Sequence, residues 1–264
     1  ARRPGGRRRA PAMNRCVRCC LGRGLANEFQ QFLLLGAENS GKTTLLYRLR
    51  IGQRWTTMSE DLDLMHREVV DGTNNIGYDP GYHYEEFAMM SNCGVWDIPG
   101  EQAMRPVWSA FYKSIAVHGV FFVVNASDMD VLKAKGSEAE GITLKARESR
   151  LKAEHKARER IIESRRLFHR LLNEEELRPA AFAVIINQKT DPTKAIDPKA
   201  SRDVHPMHYQ LGLHQIHESC AWRVKAFVLD CDHIDGEHDP KWEPVLGHMK
   251  EVLSDARSYD LGFS

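Results

Sequence analysis

The sequence predicts an α/β protein with a mostly parallel, doubly wound sheet and helices on both faces. Short continuous apolar runs recur along the chain, helical or polar stretches separate them, and a glycine-rich loop joins the first run to the first helix. The 264 residues, 42% hydrophobic and 28% charged, suffice to bury a core and exclude a fibrous or wholly disordered chain. A net charge of +1 indicates no specific nucleic-acid partner.

The predicted strands follow one another in a regular order. The first run is followed at once by a turn and by a helix over residues 43–50. None of the apolar runs approaches the ~20 residues of a membrane-spanning helix, so we expect no such span. The runs lie at residues 32–35, 94–96, 119–125, 181–187 and 226–229.

Three segments depart from this alternation. Residues 1–28 predict a basic, cysteine-containing flexible tail, since residues 1–27 hold eight Arg and no acidic residue. Residues 58–73 form a polar, acidic insertion. Residues 133–172 alternate Lys or Arg with Glu and predict a long helix whose first half is solvated, with the inserted part at about 134–160.

Residues 36–43 satisfy the pattern G-x-x-x-x-G-K-[ST] between a strand and a helix. Backbone N–H groups of such a loop cradle a phosphate chain, the Lys reaches the terminal phosphates and the Thr hydroxyl holds Mg²⁺. The nucleotide-binding residues predicted here are Glu38, Asn39, Ser40, Gly41, Lys42, Thr43 and Thr44.

A second phosphate-directed motif, D-x-x-G, occupies residues 97–100 at the end of another strand. Asp97 is suited to support Mg²⁺ through water, and the Gly100 N–H is suited to meet a γ-phosphate. With a phosphate loop about sixty residues upstream, this motif suggests a small regulatory GTPase.

These residues resemble the ADP-ribosylation-factor (Arf/Arl-like) small GTPases. The resemblance lies in the phosphate loop with residues 44–49, in WDIPGEQAMRPVWSAFY at 96–112, in FFVVNASD at 121–128, and in residues 171–191 and 211–214. It implies a P-loop GTPase domain over 29–264, GTP or GDP with Mg²⁺, and protein partners that bind the switch regions and the insertions.

Two departures from the family pattern bear on hydrolysis. Members of the family usually place Gln directly after D-x-x-G, to orient the attacking water, and this chain has Glu101, whose carboxylate repels γ-phosphate oxygens. Asn75 stands where the family has the Thr that completes the Mg²⁺ shell. We therefore expect weak or no intrinsic GTP hydrolysis, and a catalytic role for Glu101 is in doubt.

The guanine-reading segment also differs from the family pattern, Asn-Lys-x-Asp. The matching stretch, residues 187–191, is one residue longer, and the resemblance assigns Asn187, Lys189 and Asp191 to nucleotide binding. The final base-contacting loop falls at Cys231. A P-loop protein specific for ATP remains an alternative.

Two functions stay open at this point. One is a nucleotide-operated switch for partner recruitment; the other is a structural subunit that keeps the fold and a locked nucleotide. Six Cys without a disulfide framework fit a reducing, cytoplasmic location. His and Cys between residues 214 and 233 follow no familiar zinc spacing, so we expect surface or core roles for them.

The tail has three candidate roles. Cys16, Cys19 and Cys20 lie among arginines, which suits S-acylation and peripheral membrane contact. Docking on a protein or RNA is the second role. The third is a remnant of organellar targeting, which would place the protein in mitochondria.

Overall fold

The computed structural model describes residues 29–58, 81–89, 92–133, 144–190 and 205–261. The tail 1–28, most of the insertion at 58–73, Asn75 and Asp191 lie outside these ranges. The described strands are β1 (Gln30–Gly36), β2 (His83–Phe87), β3 (Cys93–Asp97), β4 (Gly119–Asn125), β5 (Ala181–Asn187) and β6 (Val224–Leu229).

These strands form one sheet in the order β2-β3-β1-β4-β5-β6. The pairs β1–β3, β1–β4, β4–β5 and β5–β6 are parallel, whereas β2 is an antiparallel edge strand on β3. The predicted α/β fold with a mostly parallel sheet is confirmed. The carboxyl ends of the parallel strands meet at one edge, where ligands bind in open α/β sheets.

Helices cover both faces of the sheet. Alternate residues of β1 and β4 face opposite sides, as the two-residue period of a strand requires. The main helices are α1 (Lys42–Ile51), α2 (Pro106–Ser114), α3 (Ser127–Lys133), α4 (Leu144–Leu172), α5 (Pro206–Gln210), α6 (Glu218–Ala221) and α7 (Glu243–Leu261). Leu33 and Phe122 pack with α2, α4 and α5, while Phe32 and Phe121 pack with α1 and α7.

Helix α4 corresponds to the predicted long charged helix. Residues 145–149 and 151–153 are exposed, but packing begins earlier than the sequence suggests. Glu154 and Ala157 are buried, and Arg160 pairs with Asp128 on α3. This part of α4 packs through a small alanine and an ion pair rather than through large apolar residues. Apolar periodicity in the sequence therefore did not predict its packing.

Strand β2 was not predicted. Its sequence, HYEEF, has no continuous apolar run, and only Phe87 of its residues is buried. Among the described residues, no helix has both the length and the apolar character needed to cross a membrane.

Candidate nucleotide-binding site

A cavity of about 200 Å³ opens at the carboxyl ends of β1 and β3. The phosphate loop forms one wall, and the D-x-x-G loop and the start of β2 form the other. Seven of the residues that line it were predicted from the sequence, and His83 was not. Its lining includes Lys42, Thr43, His83, Asp97, Gly100 and Glu101.

The phosphate loop has the backbone conformation that its glycines permit. Gly41, which precedes the first turn of α1, has φ +99°, and Asn39 has φ +58°. A Cβ at Gly41 would lie 2.3 Å from the side-chain amide of Asn187, which would have to move, and the positive φ would strain any larger residue there. The loop leads directly into α1, whose amino end carries the N–H groups that favour a phosphate.

Lys42 lies beneath the loop. Its Nζ donates to the Ala37 carbonyl at 2.9 Å, and the residue is buried. Burial lowers the pKa of the Lys42 ammonium, and the nearby Asp97 carboxylate opposes that shift. The ammonium is thus held at the loop, where it is suited to meet an anionic phosphate.

Thr43 and Asp97 come together although 54 residues separate them. The Thr43 hydroxyl donates to Asp97 Oδ2 at 2.6 Å. A hydroxyl and a carboxylate are hard oxygen donors, which Mg²⁺ prefers, and Mg²⁺ is usually held by one or two carboxylates together with substrate phosphates. The pair therefore fits the predicted metal position. Elsewhere in the described ranges, no group of three or more His, Cys, Asp or Glu is arranged to hold a metal, including the His and Cys between 214 and 233.

The D-x-x-G loop is pressed against the phosphate loop. A Cβ at Gly100 would lie 2.2 Å from the Gly36 carbonyl oxygen, so only glycine allows this approach. Two side chains hold the loop in place, one within α2 and one at its amino end. Trp108 Nε1 donates to the Pro99 carbonyl at 2.8 Å, and Arg105 Nε donates to the Gly100 carbonyl at 3.0 Å. The R-P-x-W motif thus positions Gly100.

Asn187 joins the phosphate loop to the final base loop. Its Nδ2 donates to the Ser40 carbonyl at 3.0 Å, and its Oδ1 accepts from the Cys231 N–H at 3.1 Å. Cys231 is itself buried, which raises the pKa of its thiol. The predicted residues Ser40, Asn187 and Cys231 are therefore connected, with Cys231 contributing its backbone.

Asp230 organises the base loop and was missed by sequence reasoning. Its Oδ2 accepts from the N–H and the hydroxyl of Thr190, each at 2.6 Å, and lies 2.9 Å from His233 Nδ1. Burial alone would raise the pKa of Asp230, but these hydrogen bonds outweigh it and lower the pKa. One local signal was present in the sequence. An Asp side chain often accepts a hydrogen bond from the N–H two residues later, and Asp230 Oδ1 accepts from the Asp232 N–H in this way.

The remaining predicted residues lie around this framework. Lys189 is exposed and pairs with Asp232 at 3.0 Å. Glu101 is exposed at the cavity, and its charge is among those that raise the pKa of Lys42 against the dominant effect of burial. Glu38 and Asn39 line the cavity, and Thr44 lies half-buried in the first turn of α1.

A second cavity, about 420 Å³, lies between the phosphate loop and α4. Arg105 and Glu163 form an ion pair at 2.5 Å on its wall, and Arg160 pairs with Asp128 on the same wall. Because Arg105 also holds the Gly100 carbonyl, this pair links the long helix to the D-x-x-G loop.

Comparison with known proteins addresses the family. The model of the ADP-ribosylation factor (Arf) family matches residues 79–154. This segment is Arf-like. It includes β2, the D-x-x-G loop, α2 and β4, under a third of the 264 residues, and the phosphate loop lies outside it. The match bears out the resemblance seen in the sequence and supports an Arf/Arl-like GTP-binding switch.

One solved structure similar to this chain is that of Arl6 (BBS3), a small GTPase from Trypanosoma brucei with a bound nucleotide analogue, GppNp. The two chains are 17% identical, with a TM-score of 0.47, and the match covers 87% of this chain and 99% of the other. At this level of similarity the likeness carries no argument about the site.

Proposed function

We propose that this chain is a guanine-nucleotide-binding, Arf-like switch with weak or no intrinsic GTP hydrolysis, which recruits protein partners. The observation that carries the proposal is the Thr43–Asp97 contact of 2.6 Å, because it joins the phosphate loop to the D-x-x-G loop at one cavity. Both loops are needed to sense a terminal phosphate.

The phosphate-binding part of the proposal rests on three groups. The N–H groups of residues 38–44 and the amino end of α1 receive the phosphate oxygens. Lys42 Nζ exchanges its Ala37 carbonyl partner for terminal phosphate oxygens, a stronger acceptor because it is charged. The Gly100 N–H lies at the opposite wall of the cavity.

Mg²⁺ would be held by the Thr43 hydroxyl and by Asp97, directly or through water. When bound, the ion neutralises phosphate charge. Thr43 and Asp97 are already aligned by their hydrogen bond, so little rearrangement is needed to present both oxygens to it.

The residues around the Cys231 loop and the end of β5 support guanine recognition. Asn187 fixes the distance between the phosphate loop and the Cys231 loop, and Asp230 fixes Thr190, the residue directly before Asp191. We propose that Asp191 accepts from the guanine N1–H and amino group, and that Lys189 leaves Asp232 to cover the base. Asp191 itself lies outside the described residues.

Weak hydrolysis is proposed because of Glu101. A carboxylate lacks the amide donor that Gln offers, and its negative charge at this cavity opposes the charge that develops on the phosphoryl oxygens. We propose that partners bind the switch regions and the insertions; the exposed stretches 145–149 and 151–153 of α4, which carry several charged residues, support this. Peripheral membrane contact through the tail and a cytoplasmic location stay predictions.

The experiment that tests the proposed function identifies the nucleotide in the purified full chain. The protein is denatured, the released nucleotide is separated by chromatography, and binding of GTP, GDP and ATP is then measured with fluorescent analogues in Mg²⁺. We expect a guanine nucleotide and Kd values for guanine at least tenfold below those for adenine. Lys42→Ala is the matched control and should carry none.

Three outcomes bear on the proposal. A preference for ATP, or stoichiometric nucleotide in Lys42→Ala, would contradict it. Bound nucleotide that does not exchange over hours would favour the structural-subunit alternative, which uses the same site without switching.

A further inference from the structure

We infer that His83 determines nucleotide specificity at this site: its imidazole Nε2–H donates to the terminal phosphate of a bound nucleoside triphosphate and so favours GTP over GDP. The inference rests on the proposed function, since it needs a nucleotide in the cavity. It assigns a contact that neither the phosphate loop nor the D-x-x-G motif provides.

The register of β2 on β3 places the His83 side chain. His83 is directly opposite Asp97 in this antiparallel pair. Side chains of directly opposed residues project from the same face of a sheet, with Cβ atoms about 4.5–5.5 Å apart. Asp97 bonds to Thr43 at the start of α1, so the imidazole also lies on the α1 side. His83 accordingly lines the same cavity as Lys42.

A neighbouring phenol orients the ring. The Tyr47 hydroxyl lies 3.1 Å from His83 Nδ1, and the Tyr47 ring is itself stacked on Trp55 with centroids 4.6 Å apart. With the Tyr47 O–H as donor, Nδ1 is the acceptor and the proton of the neutral ring is on Nε2. Nε2 is then a donor, on the side of the ring away from Tyr47.

The position of the ring selects the terminal phosphate. His83 shares its cavity with the groups proposed to meet that phosphate and its metal, namely Lys42, Thr43, Asp97 and Gly100. The groups proposed to serve the base, Asn187 and Cys231, are not among the residues that line this cavity; Asn187 bonds instead to the Ser40 carbonyl and to the Cys231 N–H. In this inference the acceptor is an oxygen of the third phosphate, which a diphosphate does not carry, so the contact would be made with the triphosphate alone.

The test measures the affinities of the full chain for GppNp and GDP by competition with a fluorescent nucleotide, in saturating Mg²⁺ at one pH. A hydrogen bond to a charged acceptor predicts that His83→Ala lowers GppNp affinity about tenfold or more. GDP affinity should stay within about twofold by the same reasoning. His83→Gln keeps a donor and should recover part of the loss, and Tyr47→Phe should give an intermediate loss.

His238→Ala is the matched control, because that imidazole is 84% exposed and outside the cavity lining. Equal losses for GppNp and GDP in His83→Ala and His83→Gln would show a structural role and overturn the inference. An unchanged ratio of GppNp affinity to GDP affinity in His83→Ala would also overturn the inference. If the wild-type chain binds neither nucleotide, the proposed function fails and this inference with it; wild-type binding with an unaltered ratio overturns the inference alone.

Discussion

The two ends of the parallel sheet satisfy their polar groups in different ways. At the amino end, before β4, β5 and β6, buried polar groups bond to one another: Arg223 donates to the carbonyls of Leu172, Leu177 and Ala180, at 2.8, 2.7 and 3.1 Å. At the carboxyl end, polar groups join loops and line a cavity. The chain therefore places the buried Arg223 network at the end of the sheet opposite the site where binding is proposed.

The largest effect is expected at the amino end. Arg223→Met removes three hydrogen bonds and takes a donor away from three carbonyls. The guanidinium is fully buried and packs on Phe182. The free energy of unfolding should fall by about 3–5 kcal/mol. Urea denaturation measures it, with the exposed Arg158→Met as control. A loss under about 1 kcal/mol would show that the amino end is not a stabilising network.

The next effect is expected at the carboxyl end. Lys42→Ala should weaken nucleotide binding at least a hundredfold, about 2.7 kcal/mol, because the phosphates lose their buried cation. Nucleotide titration measures the loss, and urea denaturation of the nucleotide-free protein checks that the fold remains. If instead stability fell by as much as in Arg223→Met, the separation between the two ends would be wrong.

Asp230 tests whether the carboxyl end also contributes to stability. Its pKa is lowered in the folded chain, from an ordinary value of 3.8, so its contribution is complete above that value and is lost as the pH falls through the lowered pKa. Asp230→Asn should cost about 1–2 kcal/mol at pH 7. The difference in the free energy of unfolding between Asp230→Asn and wild type should shrink below pH 3.8. Urea denaturation over a range of pH values measures this difference. A difference that grows on acidification would contradict this.

The smallest effect concerns Glu101. Glu101→Gln should raise single-turnover GTP hydrolysis by no more than about tenfold, since intrinsic rates of small GTPases stay low until an arginine is supplied in trans. Phosphate release from preloaded protein measures the rate, alongside the double variant Glu101→Gln/Asn75→Thr. Equal rates in all three proteins would show that neither residue limits hydrolysis.

The sequence predicted the central strands and the phosphate loop because both depend on residues that are neighbours in the chain. It also predicted Thr43 and Asp97 as metal ligands, since each belongs to a motif with a known mechanism, and the structure brings them into contact. Arg223 and Asp230 were not predicted. The carbonyls that Arg223 contacts lie 43 to 51 residues away, so no local pattern marks this residue. Asp230 combines a local contact with the Asp232 N–H and a contact with Thr190, 40 residues away.

His83 and β2 were missed for a related reason. Most residues of β2 are only partly buried, and its sequence lacks the apolar run that identified the other strands, including the opposite edge strand β6. The role of His83 depends on which residue of β3 it faces, and a one-residue change of register would turn its side chain to the other face of the sheet.

The contact between Gly100 and the phosphate loop limits how this site tolerates substitution. Even a methyl group at position 100 would meet the Gly36 carbonyl at 2.2 Å, and backbone cannot turn aside as a long side chain can. The two loops must separate for any other amino acid to be accommodated. In a saturation library scored by retained nucleotide, position 100 should therefore accept glycine alone, whereas the exposed Gln102, two residues further on, should accept most side chains.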